Sequence, residues 1–337
     1  MVVEDFLVQT FGRMEIQSMS YNDRRSVGHH GPLFNESARA ASTMPESFRD
    51  LAEARVYLDL IMRRQMYFIG TIARTIIKFS YFPPGYEDTA TFGSTEDYQS
   101  MSSSKVRKQS IEMYKESLRW SGAFGPLLAR LSLPITTNMD KITTLTMNIA
   151  ASSSRACASG ILTGLETQYD TQVDIFRLVV AQTTQLLALQ EEESRKSDTR
   201  SETDTSFVFS FELGVITPLS LVIVKCRDPR IRRDALNLLY KYPRREGVWD
   251  SVITAALGRW VINMEEEWEG LNDPWDGVAE IWLPENKRLR GVSVRYDQVH
   301  KKVITSGLQF NAREGRWFMR SEEHRCETWR FDEYLGC

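Results

Sequence analysis

The adjacent His29 and His30 are the side chains most suggestive of a metal site, yet no cysteine lies near them and no carboxylate stands at a ligand spacing. They read as loop residues. His300 and His324 are isolated in sequence. Cys157, Cys226, Cys326 and Cys337 are too widely separated for a local zinc motif or a dense disulfide framework, and read as buried or unpaired thiols of a reducing compartment. Carboxylates run together at Glu191 to Glu193 and Glu265 to Glu267. Consecutive acids do not converge on one point, so they read as solvated faces rather than an acid–base pair. A phosphate-binding Walker loop, a dinucleotide-binding glycine signature, a His-Glu-x-x-His pair and a Gly-x-Ser-x-Gly elbow are all absent from the 337 residues. No catalytic, cofactor-binding or metal-ligating set is therefore expected, and the chain reads as noncatalytic. An unrecognised enzyme would have to assemble its site from residues distant in sequence.

Charge is segregated along the chain although the formal net value is only −3. Lys225 to Arg245 holds eight basic and two acidic residues, a local balance of +6, whereas Glu265 to Glu285 holds eight acidic residues and no basic one. Overall acidity argues against bulk nucleic-acid binding, which needs a wide basic surface. Two readings of the basic stretch remain. Lys225, Arg227, Arg230, Arg232, Arg233, Arg244 and Arg245 form a regulatory contact surface, or they cap helices and form salt bridges to the acidic stretch within the chain.

The elements that must position these groups are mostly helical. Residues 2–22 suggest a short amphipathic helix, followed by a loop near 23–44. From Phe48 into the 70s, Leu51, Ala54, Leu58, Ile61 and Met62 repeat at three-and-four spacing. Consecutive prolines at 83 and 84 end that region and open a second loop near 82–104. Further helices are expected over about 105–131, bent at Gly122 and Gly125, then 141–164 and 170–193. Asp228 and Pro229 offer a cap and a first helical residue, with Ile231, Ala235, Leu236, Leu238 and Leu239 inward and Arg232 and Arg233 outward. Tyr242 to Gly247 forms a turn, after which Asp250 or Ser251 caps a longer helix. Val292, Val294 and Tyr296, then Val303 and Thr305, alternate as a small hairpin, against which the terminal Trp-Phe and Trp-Arg-Phe segments pack.

The expected fold class is thus mostly α, with packed antiparallel helices and a small C-terminal β-hairpin appendage. Residues 1–190 make an N-terminal helical region, 191–206 a polar linker or loop, and 207–337 a C-terminal helical region that carries the β appendage and packs on the first. No apolar run approaches the roughly 18 to 20 residues needed to cross a bilayer. The acidic opening with Glu4 and Asp5 lacks the basic lead of a secretory signal. No membrane partner is expected.

Residues 214–267, GVITPLSLVIVKCRDPRIRRDALNLLYKYPRREGVWDSVITAALGRWVINMEEE, carry one specific signal, strongest in KCRDPRIRRDALNLL and PRREGVWDS. This segment resembles the C-terminal regulatory region of fungal zinc-cluster (Zn2Cys6) transcription-factor-like proteins. A looser likeness extends back through LRWSGAFGPLLARL, PESFRDLAEARVYLDLIMR and FGRMEIQSMSYNDRR, and forward through RGVSVRYD. Full-length members couple a six-cysteine dizinc module to a helical regulatory region. The four cysteines here, the first at Cys157, do not supply that module, so direct sequence-specific DNA binding is not carried over. The readings left open are a natural short regulatory paralogue, a truncated gene model, and a domain whose former function has changed.

The resemblance implies transcription regulation through protein–protein interaction, with a DNA-bound transcription factor as a partner. It implies a nuclear location, with the cytoplasm as the alternative. It supplies no catalytic residue and no cofactor. The competing assignment is a helical scaffold unrelated to transcription.

Overall fold

A computed structural model describes residues 16, 41–68, 103–161, 165–196, 208–210, 214–266, 283–297, 299–311 and 316–325. All of the first expected helix except Ile16, and most of both expected loops, lie outside the described residues. The described chain is mostly helical and ends in a small antiparallel sheet. It divides into two compact units. One holds the described residues through Ile161 together with 181–196 and 214–215, and the other holds 165–180, 208–210 and those from Ile216 onward.

The first unit is built on α1 (Leu51–Phe68), α2 (Ser103–Ala129) and α3 (Asn138–Ile161). Asp50 starts α1 by accepting from the Glu53 amide at 2.8 Å, and Thr137 starts α3 by accepting from the Asp140 amide at 3.1 Å. The apolar stripes of the three helices meet at Leu58, Ile61, Trp120, Phe124, Met147 and Ala151. Trp120 is fully buried and stacks on Phe124 with ring centroids 4.4 Å apart. Its indole N–H is satisfied by the Ala54 carbonyl at 2.9 Å, as burial of an indole requires. α2 continues through Gly122 and Gly125 and past Pro126, which has no amide to donate to the Gly122 carbonyl one turn back.

A polar seam runs through this core. Gln65 donates to Ser117 Oγ at 2.7 Å and accepts from Ser154, and Arg64 pairs with Glu116. Burial raises the Glu116 carboxyl, against the opposing pull of Arg64. A cavity of about 30 Å³ beside Leu58, Met62 and Met147 has room for about one water.

Helix α4 (Val173–Lys196) follows the 3-10 turns Glu166–Gln172, and its residues are shared between the two units. It runs through Glu191 to Lys196, where a polar linker is expected. There Arg195 pairs with Glu191 at 2.5 Å and Lys196 with Glu192 at 2.6 Å, four residues apart. Such pairs support an exposed helical turn that has no apolar face.

In the second unit, α5 (Ile216–Lys225), α6 (Pro229–Lys241) and α7 (Ser251–Glu266) pack on one another. The Asp228 side chain accepts from the amides of Arg230 at 2.9 Å and Ile231 at 3.0 Å, with Pro229 at the first helical position. Asp250 caps α7 through the amides of Val252 and Ile253, at 2.8 and 3.1 Å. α7 approaches α5 so closely at Gly258 that a Cβ there would lie 2.6 Å from Ile223 Cγ2.

Strand β1 (Val208–Ser210) pairs in parallel with β2 (Arg244–Glu246), which pairs antiparallel with β3 (Trp249–Asp250). Gly247 makes the turn between β2 and β3 at φ 57° and donates to the Ser210 carbonyl at 2.7 Å.

The C-terminal sheet has three strands, β4 (Arg290–Asp297), β5 (Lys302–Asn311) and β6 (Arg316–Arg325), in that order. The expected hairpin is β4–β5, with Tyr296 opposite Val303 and Val294 opposite Thr305. The Trp317–Phe318 segment is itself a strand, paired with Phe310 and Gln309. Val292 and Val294 pack toward Trp260 and Val261 of α7.

Candidate functional site

The basic stretch folds into an ionic hub. Lys225 closes α5, Arg227 sits in the short turn before α6, and Arg232 and Arg233 occupy its first turns. The last turn of α7 brings Glu265 and Glu266 to meet them. Glu265 is fully buried. It accepts from Arg227 at 2.8 Å, Arg232 at 3.0 Å and the Leu289 amide at 2.9 Å. Arg232 also donates to the Ile223 carbonyl at 3.2 Å, which ties α6 to α5. Arg233 pairs with Glu266 and donates to the Pro229 carbonyl at 3.1 Å.

Further acids and bases lie beside this centre. Glu166 accepts from Lys225 at 2.5 Å and Arg227 at 3.3 Å. Lys225 Nζ also lies 5.1 Å from the centre of the Tyr169 ring. Arg288 grips both Asp170 oxygens, at 2.8 and 2.6 Å, and donates to the carbonyls of Leu283 and Glu166 at 2.8 and 3.0 Å. The Glu285 carboxylate accepts from the amides of Glu166 and Thr167 at 2.9 and 2.8 Å and pairs with Arg290.

Protonation follows from this geometry. Burial pushes the Glu265 carboxyl upward, but Arg227, Arg232 and the Leu289 amide outweigh it, and the group is held below the usual glutamate value. Glu285 shows the same balance: desolvation opposes, and the amides of Thr167 and Glu166 and the Arg290 charge win. Burial raises the Cys226 thiol to about 11, so it is a packing residue rather than a nucleophile.

The seven basic residues singled out by sequence do not share one surface. Arg227, Arg232 and Arg244 are buried, at 6%, 1% and 7% exposure. The outward placement expected for Arg232 is corrected: its guanidinium turns inward because a fully enclosed carboxylate and a helix-end carbonyl wait there. Lys225 and Arg233 are part-exposed and ion-paired within the unit. Arg244 lies 3.8 Å from Glu246, whose other oxygen accepts from the Ile216 amide at 2.9 Å. Arg245 is half-buried and donates to the Gly247 carbonyl at 3.2 Å. Arg230 faces solvent on the outer side of α6, near Asp234, Asn237, Tyr240 and Lys241.

The opposed charge runs therefore meet in part inside the chain, at Glu265 and Glu266. The segregation itself was the sequence signal for that meeting. Nothing local marked Glu166, Asp170 or Arg288. Among the described residues no three His, Cys, Asp or Glu side chains form a group able to hold a metal ion, and no helix is long and apolar enough to cross a membrane.

The chain has partial homology to a fungal transcription regulator. That protein is the aspercryptin biosynthesis cluster-specific transcription regulator AtnN of Emericella nidulans, 32% identical over 107 residues. The match covers 32% of this chain and 17% of AtnN, so it spans well under two thirds of that protein. No protein-family model matches the chain, and no solved structure matches it.

Proposed function

We propose that the chain is a noncatalytic, transcription-associated regulatory protein that acts in the nucleus through protein partners, among them a DNA-bound transcription factor. The observation that carries this reading is the 107-residue similarity to a transcription regulator. The disposition of the basic residues agrees with a protein contact rather than a base-reading one. Reading base edges needs side chains that project from an element into a groove, and Arg227, Arg232 and Arg244 are instead spent on internal carboxylates and burial. An exposed face open to a partner is the outer ridge of α6, where Arg230, Asp234, Asn237, Tyr240 and Lys241 face solvent at helical spacing.

Proximity labelling of the endogenously expressed chain, with imaging of its location, tests the proposal. Enrichment of DNA-bound regulators and transcription machinery in the nucleus is the expected result. Reproducible labelling of cytoplasmic proteins alone would reject it in favour of a scaffold. Arg230→Glu combined with Lys241→Glu is expected to reduce labelling of the nuclear partners without unfolding the chain.

A further inference from the structure

The ionic hub has an inner and an outer half, and the two are held differently. In the inner half the Glu265 side chain is 0% exposed, and those of Arg227 and Arg232 are 4% and 1% exposed. In the outer half the carboxylates belong to a short strap, the 3-10 turns Glu166–Gln172, where the Glu166 and Asp170 side chains are 11% and 30% exposed. Charge holds this strap at its carboxylates and first amides, while Tyr169 and Gln172 are held by burial. Glu166 is taken by Lys225 and Arg227, Asp170 by Arg288, and the first strap amides by Glu285.

Each of the three cations also has an anchor outside the strap. Lys225 ends α5, Arg227 remains anchored on Glu265 and on the Lys225 carbonyl at 2.8 Å, and Arg288 remains anchored on the Leu283 carbonyl. Lifting the strap would remove the carboxylate on Lys225, one of the two carboxylates on Arg227, and the carboxylate and one of the two carbonyls on Arg288, leaving three cations in want of an acid.

We propose that the strap is an autoinhibitory contact, in which Glu166 and Asp170 occupy a seat of Lys225, Arg227 and Arg288 that takes an acidic peptide of a partner protein when the strap lifts. The strap is the template for that peptide: two carboxylates four residues apart, with an aromatic ring one residue before the second. Tyr169 fills the aromatic position, where its face meets Lys225 Nζ at 5.1 Å. Three cations facing two carboxylates make the seat selective for acidic over neutral chains. Tethering gives the strap a high effective concentration, so a peptide in trans binds weakly until the strap is disabled. The inference goes beyond the regulatory reading and stands or falls without it.

The test uses the full chain and a fluorescent peptide of residues 165–176, LETQYDTQVDIF, as the probe. Glu166→Gln with Asp170→Asn in the protein disables the tethered strap and leaves the seat intact. The expected result is that this variant binds the peptide at least about tenfold more tightly than the unaltered chain. The same peptide carrying those two changes should lose binding. Equal binding by both proteins, or binding by neither, overturns the proposal. So does loss of the folded state in the variant, because the strap would then be a permanent part of the core.

Hydrogen exchange on the unaltered chain gives a second readout. Excess peptide is expected to speed exchange of the Glu166 and Thr167 amides while Val222 to Cys226 stay protected. Unchanged exchange at the two strap amides counts against displacement.

Discussion

Glu265→Gln is the substitution that asks most of the structure. The change keeps the size of the side chain and removes one charge from a site with no solvent exposure, leaving Arg227 and Arg232 facing a neutral amide. Partial substitutes exist. Arg227 keeps Glu166 at 3.3 Å, and Arg232 keeps Glu266 at 3.5 Å. Both are longer than the lost contacts, so the cost falls in the range for breaking a buried pair, about 3–5 kcal/mol. For a domain of this size about 2–4 °C of melting temperature is lost per kcal/mol, which makes the fall roughly 6 to 20 °C.

Urea and thermal denaturation followed by circular dichroism measure this, with Arg230→Gln as the exposed control, expected to stay within about 0.5 kcal/mol of the parent. Replacing the whole set, as Arg227→Met, Arg232→Leu and Glu265→Met together, should cost less than Glu265→Gln alone, because no uncompensated charge is left inside. A Glu265→Gln protein within about 1 kcal/mol of the parent would refute the account of the hub as a mutually dependent set.

Acid should act through the same groups. The folded-state values of Glu265 and Glu285 lie below the ordinary 4.5, so their contribution is fully present above that pH and is lost as the pH falls below it toward the depressed values. Urea midpoints taken between pH 7 and pH 3 should fall on acidification, and less steeply in Glu265→Gln. Two glycines should respond with opposite signs. Gly258→Ala is expected to destabilise by about 1–2 kcal/mol, because its Cβ meets Ile223 Cγ2 at 2.6 Å. Gly122→Ala, with nothing within 4 Å of its Cβ on an exposed helical position, should stabilise by about 0.5–1 kcal/mol. At the start of α6, Asp228→Ala should cost about 1 kcal/mol and Asp228→Asn a few tenths, read from the same denaturation curves.

The sequence by itself determined what local chemistry decides. Apolar spacing placed the helices of the first unit, and Asp228–Pro229 marked the start of α6 to the residue. The alternation of Val292, Val294 and Tyr296 marked β4. Strand β6, RWFMRSEEHR, has no such alternation and is a strand because β5 offers it a partner along its whole length. Residues Glu191 to Lys196 looked like linker because they lack apolar side chains, yet ion pairs at i,i+4 carry the helix through them.

The hub belonged to the tertiary structure. A guanidinium is read as solvent-facing wherever hydrophobicity alone assigns faces, and so Arg232 was placed outside although it sits among Ile231, Ala235 and Leu236 on the buried side of α6. What reverses its direction is a carboxylate 33 residues away. Glu166 lies 61 residues from Arg227 and 119 from the Glu285 carboxylate that holds its amide. Burying a charge is costly until its counter-charge arrives, and chain folding, rather than local sequence, brings the two together.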